Sequence, residues 1–202
     1  MKKVISILLS VLMVMSVFSV VPFSVNAQQI DVVQTGVLKS GDYLFTLTGK
    51  KAEIVQYRGS LSAVEIPSVL NDKYTVVSIG DNAFYRLQHI SSITIPDTVT
   101  NIGKNAFASC STLRILTIPD TVESIGECAF AGCSRLTEFT IPPLVTTINE
   151  ATLRGCAQLE KINIHDSVTS IGEEAFSNCI ALKSVEIPNS VESIGVKAFS
   201  EC

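Results

Sequence analysis

The sequence contains no tryptophan and only two histidines, His89 and His165. Histidine is the side chain that most often acts as a general base in enzymes, and the sequence pattern places neither of these two beside a serine or cysteine nucleophile. No other catalytic constellation is present in the sequence. We therefore predict that the chain has no catalytic residues, needs no cofactor and is not an enzyme.

Basic residues are outnumbered by acidic ones. The chain has 15 Lys and Arg against 19 Asp and Glu, and two of the lysines, Lys2 and Lys3, belong to an N-terminal leader-like segment. The remaining 13 basic residues leave a net charge of −6 on the rest of the chain. Nucleic-acid binding needs a basic surface stripe, so this balance argues against a nucleic-acid partner.

Long hydrophobic runs are absent except at the N-terminus. Lys2 and Lys3 precede an apolar run from Val4 to Val21, and Val25-Asn26-Ala27 has the small residues of a cleavage site. Residues 1–27 are therefore predicted to be a secretory signal peptide. An uncleaved membrane anchor is the alternative, because the run approaches the ~18 residues that span a bilayer. We expect a secreted or cell-surface protein without a transmembrane segment after cleavage.

An internal repeat dominates the rest of the sequence. Five of the six cysteines recur every 23 residues, and the residues around them recur in the same register. A fixed period of this kind predicts a solenoid, in which each unit packs only against its neighbours. The units begin at Ile95, Ile118, Ile141 and Ile164, with a longer unit from Ile66 and a partial one from Ile187.

Each unit has inward apolar positions at 1, 5, 8, 13, 19 and 22, which we expect to stack into continuous columns. A Leu-x-x-Leu-x-Leu strand is followed by proline, and a second short strand, such as Val122 to Ile125, ends at a glycine. Asn149 replaces that glycine in one unit, which suggests a positive φ at this position. The spacing of Ala-Phe-x-x-Cys-x-x-Leu predicts a short helical turn.

These motifs resemble the BspA-like leucine-rich repeat family of bacterial secreted and surface proteins. The resemblance runs from about Leu61 to Cys202 through Leu-x-x-Ile-x-Ile-Pro-x-x-Val-x-x-Ile-Gly-x-x-Ala-Phe-x-x-Cys. It implies a leucine-rich-repeat solenoid of short parallel strands and short helical turns. It also implies an extracellular binding or adhesion module, in some members for host matrix proteins, without catalytic residues.

The repeats set the domain limits. Residues 28–60 are predicted to form an N-terminal β cap and residues 61–202 a solenoid of about six units, of which the last is incomplete. Within the cap, Asp42 to Thr48 and Ala52 to Arg58 should form a hairpin across Gly49-Lys50-Lys51. Because Cys202 falls in mid-unit, either the natural chain continues or the open C-terminal edge finds a partner, for example by self-association.

The repeating cysteines admit several chemistries. Leu87 fills the same position in the first unit, so we expect reduced core cysteines rather than disulfides or a zinc row, both of which need converging side chains. Cys128 lies off this column and should be a surface thiol. Asp97, Asp120 and Asp166 recur in a turn; a calcium row is conceivable, but Pro143 interrupts it, so no metal site is predicted.

The remaining candidate site is the outward face of the first strand of each unit, where the residues vary in charge. We predict that this face binds an extracellular protein or a glycan. The alternative is a structural spacer, or part of a larger surface protein, without a ligand of its own. The candidate ligand-binding residues are Arg114, Ile115, Glu138, Glu160, Lys161, Lys183 and Glu186.

Overall fold

The computed structural model describes residues 36–202. The predicted signal peptide, residues 1–27, lies outside the described residues, as do the first residues of the predicted cap. Most of the described chain winds as a β-solenoid, in which one coil corresponds to one repeat unit. The leucine-rich-repeat solenoid predicted from the sequence is confirmed.

Every complete coil contains two short strands and a turn segment. The first strands are β4 (Ala63–Glu65), β7 (Ser92–Thr94), β9 (Ile115–Thr117), β11 (Glu138–Thr140) and β13 (Lys161–Asn163). The second strands are β6 (Tyr74–Ile79), β8 (Asn101–Ile102), β10 (Ser124–Ile125), β12 (Thr147–Ile148), β14 (Ser170–Ile171) and β15 (Ser193–Ile194). A coil is named below by its two strands.

The N-terminal strands form an antiparallel unit that joins the solenoid. It contains β1 (Leu38–Ser40), β2 (Tyr43–Thr48) and β3 (Lys51–Tyr57), paired in that order. The β2–β3 hairpin is present, with a two-residue turn, Gly49-Lys50, instead of the three residues expected; Gly49 supplies a positive φ of 65° there. β1 was not predicted from the sequence. β3 pairs in parallel with β6 and so continues the second sheet.

The six extra residues of the first unit are also ordered into strands. The longer unit from Ile66 contains β5 (Val69–Leu70), which pairs antiparallel with the start of β6. Asn71, Asp72 and Lys73 form the connecting turn, and the first two have φ values of 52° and 53°. Two consecutive residues with positive φ are typical of a hairpin turn whose twist matches the strands.

The core is a set of columns, one residue per coil. The isoleucines that end the second strands and the phenylalanines of the turn segments are buried throughout the central coils. Phe107 and Phe130 stack with ring centroids 5.3 Å apart and an interplanar angle of 6°. Offset stacking of this kind adds to the apolar area that each ring buries. The predicted one-dimensional core is therefore present.

The turn segments are not helical, and residues 36–202 contain no helix. Alternate N–H groups donate to the carbonyl three residues earlier, and the intervening N–H groups donate to the next coil, so each turn is hydrogen-bonded both within and between coils. In the β7/β8 coil, the hydrogen bonds within the turn run from the backbone N–H groups of Ala106, Ala108 and Cys110 to the carbonyls of Gly103, Asn105 and Phe107. The hydrogen bonds to the next coil run from the N–H groups of Asn105, Phe107 and Ser109 to the carbonyls of Glu127, Ala129 and Ala131. The described chain accordingly offers no helix that could span a membrane.

The repeated glycine does not have the positive φ expected from the sequence. Positive φ occurs instead two and six residues later, for example at Asn105 (53°) and Ser109 (61°). The glycine is needed because coils approach closely there: a Cβ on Gly126 would lie 2.6 Å from the backbone nitrogen of Lys104. The interpretation of Asn149 as support for a left-handed glycine position was wrong.

Both parallel sheets are interrupted between the same two coils. The first strands pair as β4-β7-β9 and separately as β11-β13, and the second strands as β6-β8-β10 and separately as β12-β14-β15. The turn hydrogen bonds continue across this junction, for instance from Phe130 N to Thr152 O at 2.9 Å. The solenoid thus contains two blocks joined along the turn side.

Candidate functional site

The strand face is defined here as the outward side of β4, β7, β9, β11 and β13. Along each of these strands the middle residue points inward, as Phe139 does in β11, while its neighbours Glu138 and Thr140 are exposed. Parallel register then places equivalent outward residues side by side, so Glu138 is the partner of Lys161. The period-2 alternation of a strand therefore generates a continuous outer surface within each of the two paired groups, β4-β7-β9 and β11-β13.

All seven residues predicted for the site are exposed. Ile115 is the most notable of them, because 64% of its surface is accessible although it lies in a strand. Around it the charges alternate in sign, from Arg114 through Glu138 to Lys161. An exposed apolar residue among mixed charges has the composition of a protein-contact surface rather than of an anion- or cation-binding one.

The structure brings some of these residues together. Glu160, Lys161 and Glu186 line one cleft of about 340 Å³, the Lys161 cleft, beside the outer edge of β13. Its remaining walls come from Ile162, Asn163, Ile164 and Ser184. Residues 184–186 form no strand, so this edge of β13 is unpaired within residues 36–202.

The other predicted residues lie apart from that cleft. Arg114 and Ile115 belong to the β9/β10 coil, on the far side of the sheet interruption from Glu138. Lys183 lines a second, mainly apolar cleft of about 290 Å³ at the last coil, together with Leu182, Val185, Ile187 and Phe199; it adjoins the Lys161 cleft at Ser184. The predicted site is therefore one face in sequence register, but the sheet interruption separates Arg114 and Ile115 from the other candidates, and Lys183 lies in a different cleft from Lys161.

One cleft contains residues that the sequence did not single out. The β9/β11 cleft, of about 260 Å³, lies where the first sheet is interrupted. Of its walls only Glu138 was a candidate. The one sequence signal was Phe139, which occupies an inward strand position where Leu116 and Ile162 stand in the neighbouring coils. The lining residues are Leu116, Thr117, Ile118, Glu138, Phe139 and Thr140.

The repeating cysteines are free thiols, and four of them, Cys110, Cys133, Cys156 and Cys179, are buried in the core, whereas Cys202 is exposed at the last coil. Each Sγ lies near a backbone carbonyl of the preceding coil; Cys110 Sγ, for example, donates to Phe84 O at 3.1 Å. Burial raises the pKa of the Cys110 thiol to about 11 and that of Cys179 to about 12. A protonated thiol is a poor nucleophile and a poor metal ligand, so these residues act as apolar packing groups.

Cys128 is the cysteine outside this column. It is half-buried and unpaired, and it occupies one of the turn positions with positive φ, at 54°. The equivalent residues in the other coils include Asn82, Asn105 and Glu174, which shows that this position tolerates many side chains. Nothing in its surroundings in the described chain requires a thiol there.

The histidines form no catalytic arrangement in the described chain. His165 Nδ1 accepts a hydrogen bond from Ser167 N at 3.2 Å and lies 3.2 Å from Ser167 Oγ. The Ser167 hydroxyl donates instead to Pro143 O at 2.7 Å, which stabilises the turn between strands. His89 is exposed in a turn. In residues 36–202, no group of three or more His, Cys, Asp or Glu side chains is arranged to hold a metal ion.

Several solved structures are similar to this chain. A leucine-rich cell surface protein from Faecalibacterium prausnitzii is 35% identical over 82% of this chain and 52% of its own length, with a TM-score of 0.65. A leucine-rich repeat protein from Bacteroides ovatus is 31% identical over 85% of this chain and 57% of its own, with a TM-score of 0.55. The chain thus spans little more than half the length of these relatives.

A more distant structure shares the fold alone. The pneumococcal vaccine antigen PcpA is 22% identical over 82% of this chain and 47% of its own length, with a TM-score of 0.63. A search of curated proteins finds no match. The model of the BspA type leucine rich repeat region matches residues 77–202 in 6 copies, which is more than half of the sequence. The chain belongs to the BspA-type leucine-rich repeat family.

Proposed function

We propose that this protein is an extracellular binding or adhesion module that contacts a protein, or alternatively a glycan, through the strand face. The observation that carries the proposal is the exposed Ile115 set among charges of both signs. Extended solenoid faces commonly serve as binding surfaces, because each coil adds side chains at a fixed spacing. The contact residues would be Arg114, Ile115, Glu138, Glu160, Lys161, Lys183 and Glu186.

The extracellular location rests on the sequence and on the family. Residues 1–27 have the features of a secretory signal, and the similar Faecalibacterium prausnitzii protein is a cell surface protein. In the proposed domain division, residues 28–60 cap the solenoid of residues 61–202. The parallel pairing of β3 with β6 supports this division, because it covers the sheet edge that the first coil would otherwise expose.

A structural spacer is the second candidate. The similar proteins are about one and a half times as long as this chain, and a repeat array can hold another domain at a distance without binding anything itself. The two functions differ in what the strand face contributes. A binding module needs its particular side chains, whereas a spacer needs only the core columns.

The test is binding of the purified protein, expressed from the full sequence, to immobilised extracellular-matrix proteins and glycans. The triple variant Arg114→Glu, Glu138→Lys and Lys161→Glu reverses the charges of the strand face. We expect saturable binding by the wild type that falls at least about tenfold in this variant, since several contacts are reversed at once. Circular dichroism and thermal unfolding would verify that the variant is folded.

A matched control changes the same charges on the turn side. The triple variant Arg86→Glu, Glu150→Lys and Lys197→Glu alters three exposed residues. Each new residue already occurs at the same unit position in another coil, namely Glu201, Lys104 and Glu174 respectively. Binding should be retained in this control. Equal loss in both triple variants would indicate a general charge effect, and no saturable binding by the wild type would favour the spacer.

A further inference from the structure

The junction between the β9/β10 coil and the β11/β12 coil differs from every other junction between complete coils in the described chain. At the flanking junctions Ile95 N donates to Thr117 O at 3.0 Å and Ile141 N donates to Asn163 O at 2.9 Å. Among residues 36–202, Ile118 N makes no such bond to Thr140 O. β10 and β12 likewise do not pair with each other, although β12 pairs with β14 and β14 with β15 at the following junctions.

Asn149 explains the gap in the second sheet. At the flanking coils the equivalent residue is glycine, and a Cβ on Gly172 would lie 2.6 Å from Glu150 N. Asn149 has a Cβ, so its coil cannot approach the preceding one as closely. Its side chain compensates: Nδ2 donates to Ile125 O at 2.6 Å, whereas Gly126 uses its backbone N–H for the corresponding carbonyl, Ile102 O, at 2.8 Å.

Phe139 and Leu153 explain the gap in the first sheet. Leu153 stands in the turn column that holds phenylalanine in the neighbouring coils, and Phe139 stands in a strand column of smaller aliphatic residues. The Phe139 ring packs edge-on against Phe130, with centroids 5.1 Å apart at 63°. Compared with its neighbours, this coil therefore has a smaller side chain on its turn side and a larger one on its strand side. The added volume separates β11 from β9 and opens the β9/β11 cleft.

The turn side of the junction remains closed. Cys128 N donates to Glu150 O at 2.9 Å, and Gly132 N donates to Arg154 O at 2.7 Å. The turn side is therefore held by backbone hydrogen bonds, whereas the two sheets opposite it share no strand pairing across the junction and the second sheet keeps only the side-chain bond of Asn149 to Ile125 O. A body held along one edge and only weakly linked along the others can rotate about that edge.

We propose that this junction is a bending joint between two rigid blocks of coils, created by Phe139, Asn149 and Leu153. The turn hydrogen bonds form its axis, and opening or closing of the β9/β11 cleft is its motion. Ile115 lies on one block and Lys161 on the other, so the joint changes the spacing between the two parts of the strand face. The joint does not depend on whether that face binds a ligand.

The experiment measures distances by pulsed electron paramagnetic resonance on the full chain. Spin labels are attached through unnatural amino acids, so the native cysteines stay unchanged. One pair of labels, at Ile115 and Lys161, spans the joint, and a control pair at Ala63 and Ile115 lies within one block. We expect a distribution at least about twice as broad for the first pair as for the second. Equal widths would overturn the proposal.

A repaired variant tests the three residues. Phe139→Leu, Asn149→Gly and Leu153→Phe together restore the side chains of neighbouring coils, so the variant should fold at least as well as the wild type. The distribution across the joint should narrow to that of the control pair. In hydrogen exchange, the Ile118 amide should slow by a factor on the order of 100 toward the rates of Ile95 and Ile141. A folded variant with an unchanged distribution and an unchanged Ile118 rate would refute the assignment.

Discussion

The backbone nitrogen of Lys104 lies 2.6 Å from the point where a side chain on Gly126 would begin. The two residues belong to successive coils, and Gly126 N donates to Ile102 O at 2.8 Å across the same contact. Glycine at this position therefore sets the separation between coils rather than the direction of the chain. The sheet pairing of the second strands depends on that separation.

Replacement of this glycine should destabilise the fold. Gly126→Ala inserts a Cβ against backbone atoms, which cannot rotate away as a side chain can, so the coils must separate. We expect a loss of about 2 kcal/mol or more in the free energy of unfolding, measured by urea denaturation. Gly155→Asn is the control, because Asn178 occupies the same unit position with φ of 61° and nearby atoms leave room for a side chain. Equal stability of Gly126→Ala and the wild type would contradict the close contact.

The aromatic column should carry much of the stability. Phe130 is fully buried between the stacked ring of Phe107 and the edge of Phe139. Phe130→Ala should lower the free energy of unfolding by about 3 to 5 kcal/mol, because it removes apolar contacts and leaves a cavity between coils. Tyr85→Ala, at an exposed ring in the same type of turn, should cost less than about 1 kcal/mol. Similar urea midpoints for the two variants would argue against a stacked core.

The repeat architecture could be predicted from the sequence because its signal is periodic. Inward columns such as Ile102, Ile125 and Ile171 are read directly from the 23-residue register, and all three are buried. The same register predicted which strand residues point outward, including Ile115 and Lys161. These features depend on the order of residues along one coil, which the sequence contains.

Features that depend on distances between coils could not be predicted. A glycine that recurs in every unit but one is consistent either with a positive φ or with a close approach between successive coils. Asn149 favoured the wrong choice, because asparagine tolerates a left-handed conformation and can also make a polar contact. The positions that do have positive φ hold residues as different as Asn105, Ala151 and Lys197, so composition gave no signal. The β9/β11 cleft was not predicted because it arises where the pairing of β9 and β11 is lost, which we attribute to the combined volumes of Phe139 and Leu153.

Thiol reactivity should separate the core cysteines from the others. Cys202 is exposed and Cys128 is half-buried, whereas Cys110, Cys133 and Cys156 are fully buried. At pH 8 a thiol with a pKa of about 11, such as Cys110, is ionised in only about one molecule in a thousand. In the native protein a chromogenic disulfide reagent should therefore react rapidly with two thiols, and in guanidinium with all six. Rapid labelling of a third thiol in the native protein would contradict the burial of the cysteine column.

Alkaline pH should weaken the fold through the same thiols. Burial raises the pKa of Cys110 from 9.0 to about 11, so the unfolded chain releases this proton first as the pH rises. The stabilisation by the neutral thiol is complete below about pH 9 and is lost progressively as the pH rises through 11, by up to about 1.4 kcal/mol per pH unit in that window. Urea denaturation at pH 8, 9, 10 and 11 should therefore show a steeper decline for the wild type than for Cys110→Ala, while tyrosines and lysines contribute equally to both. Parallel declines would show that ionisation of Cys110 is not linked to unfolding.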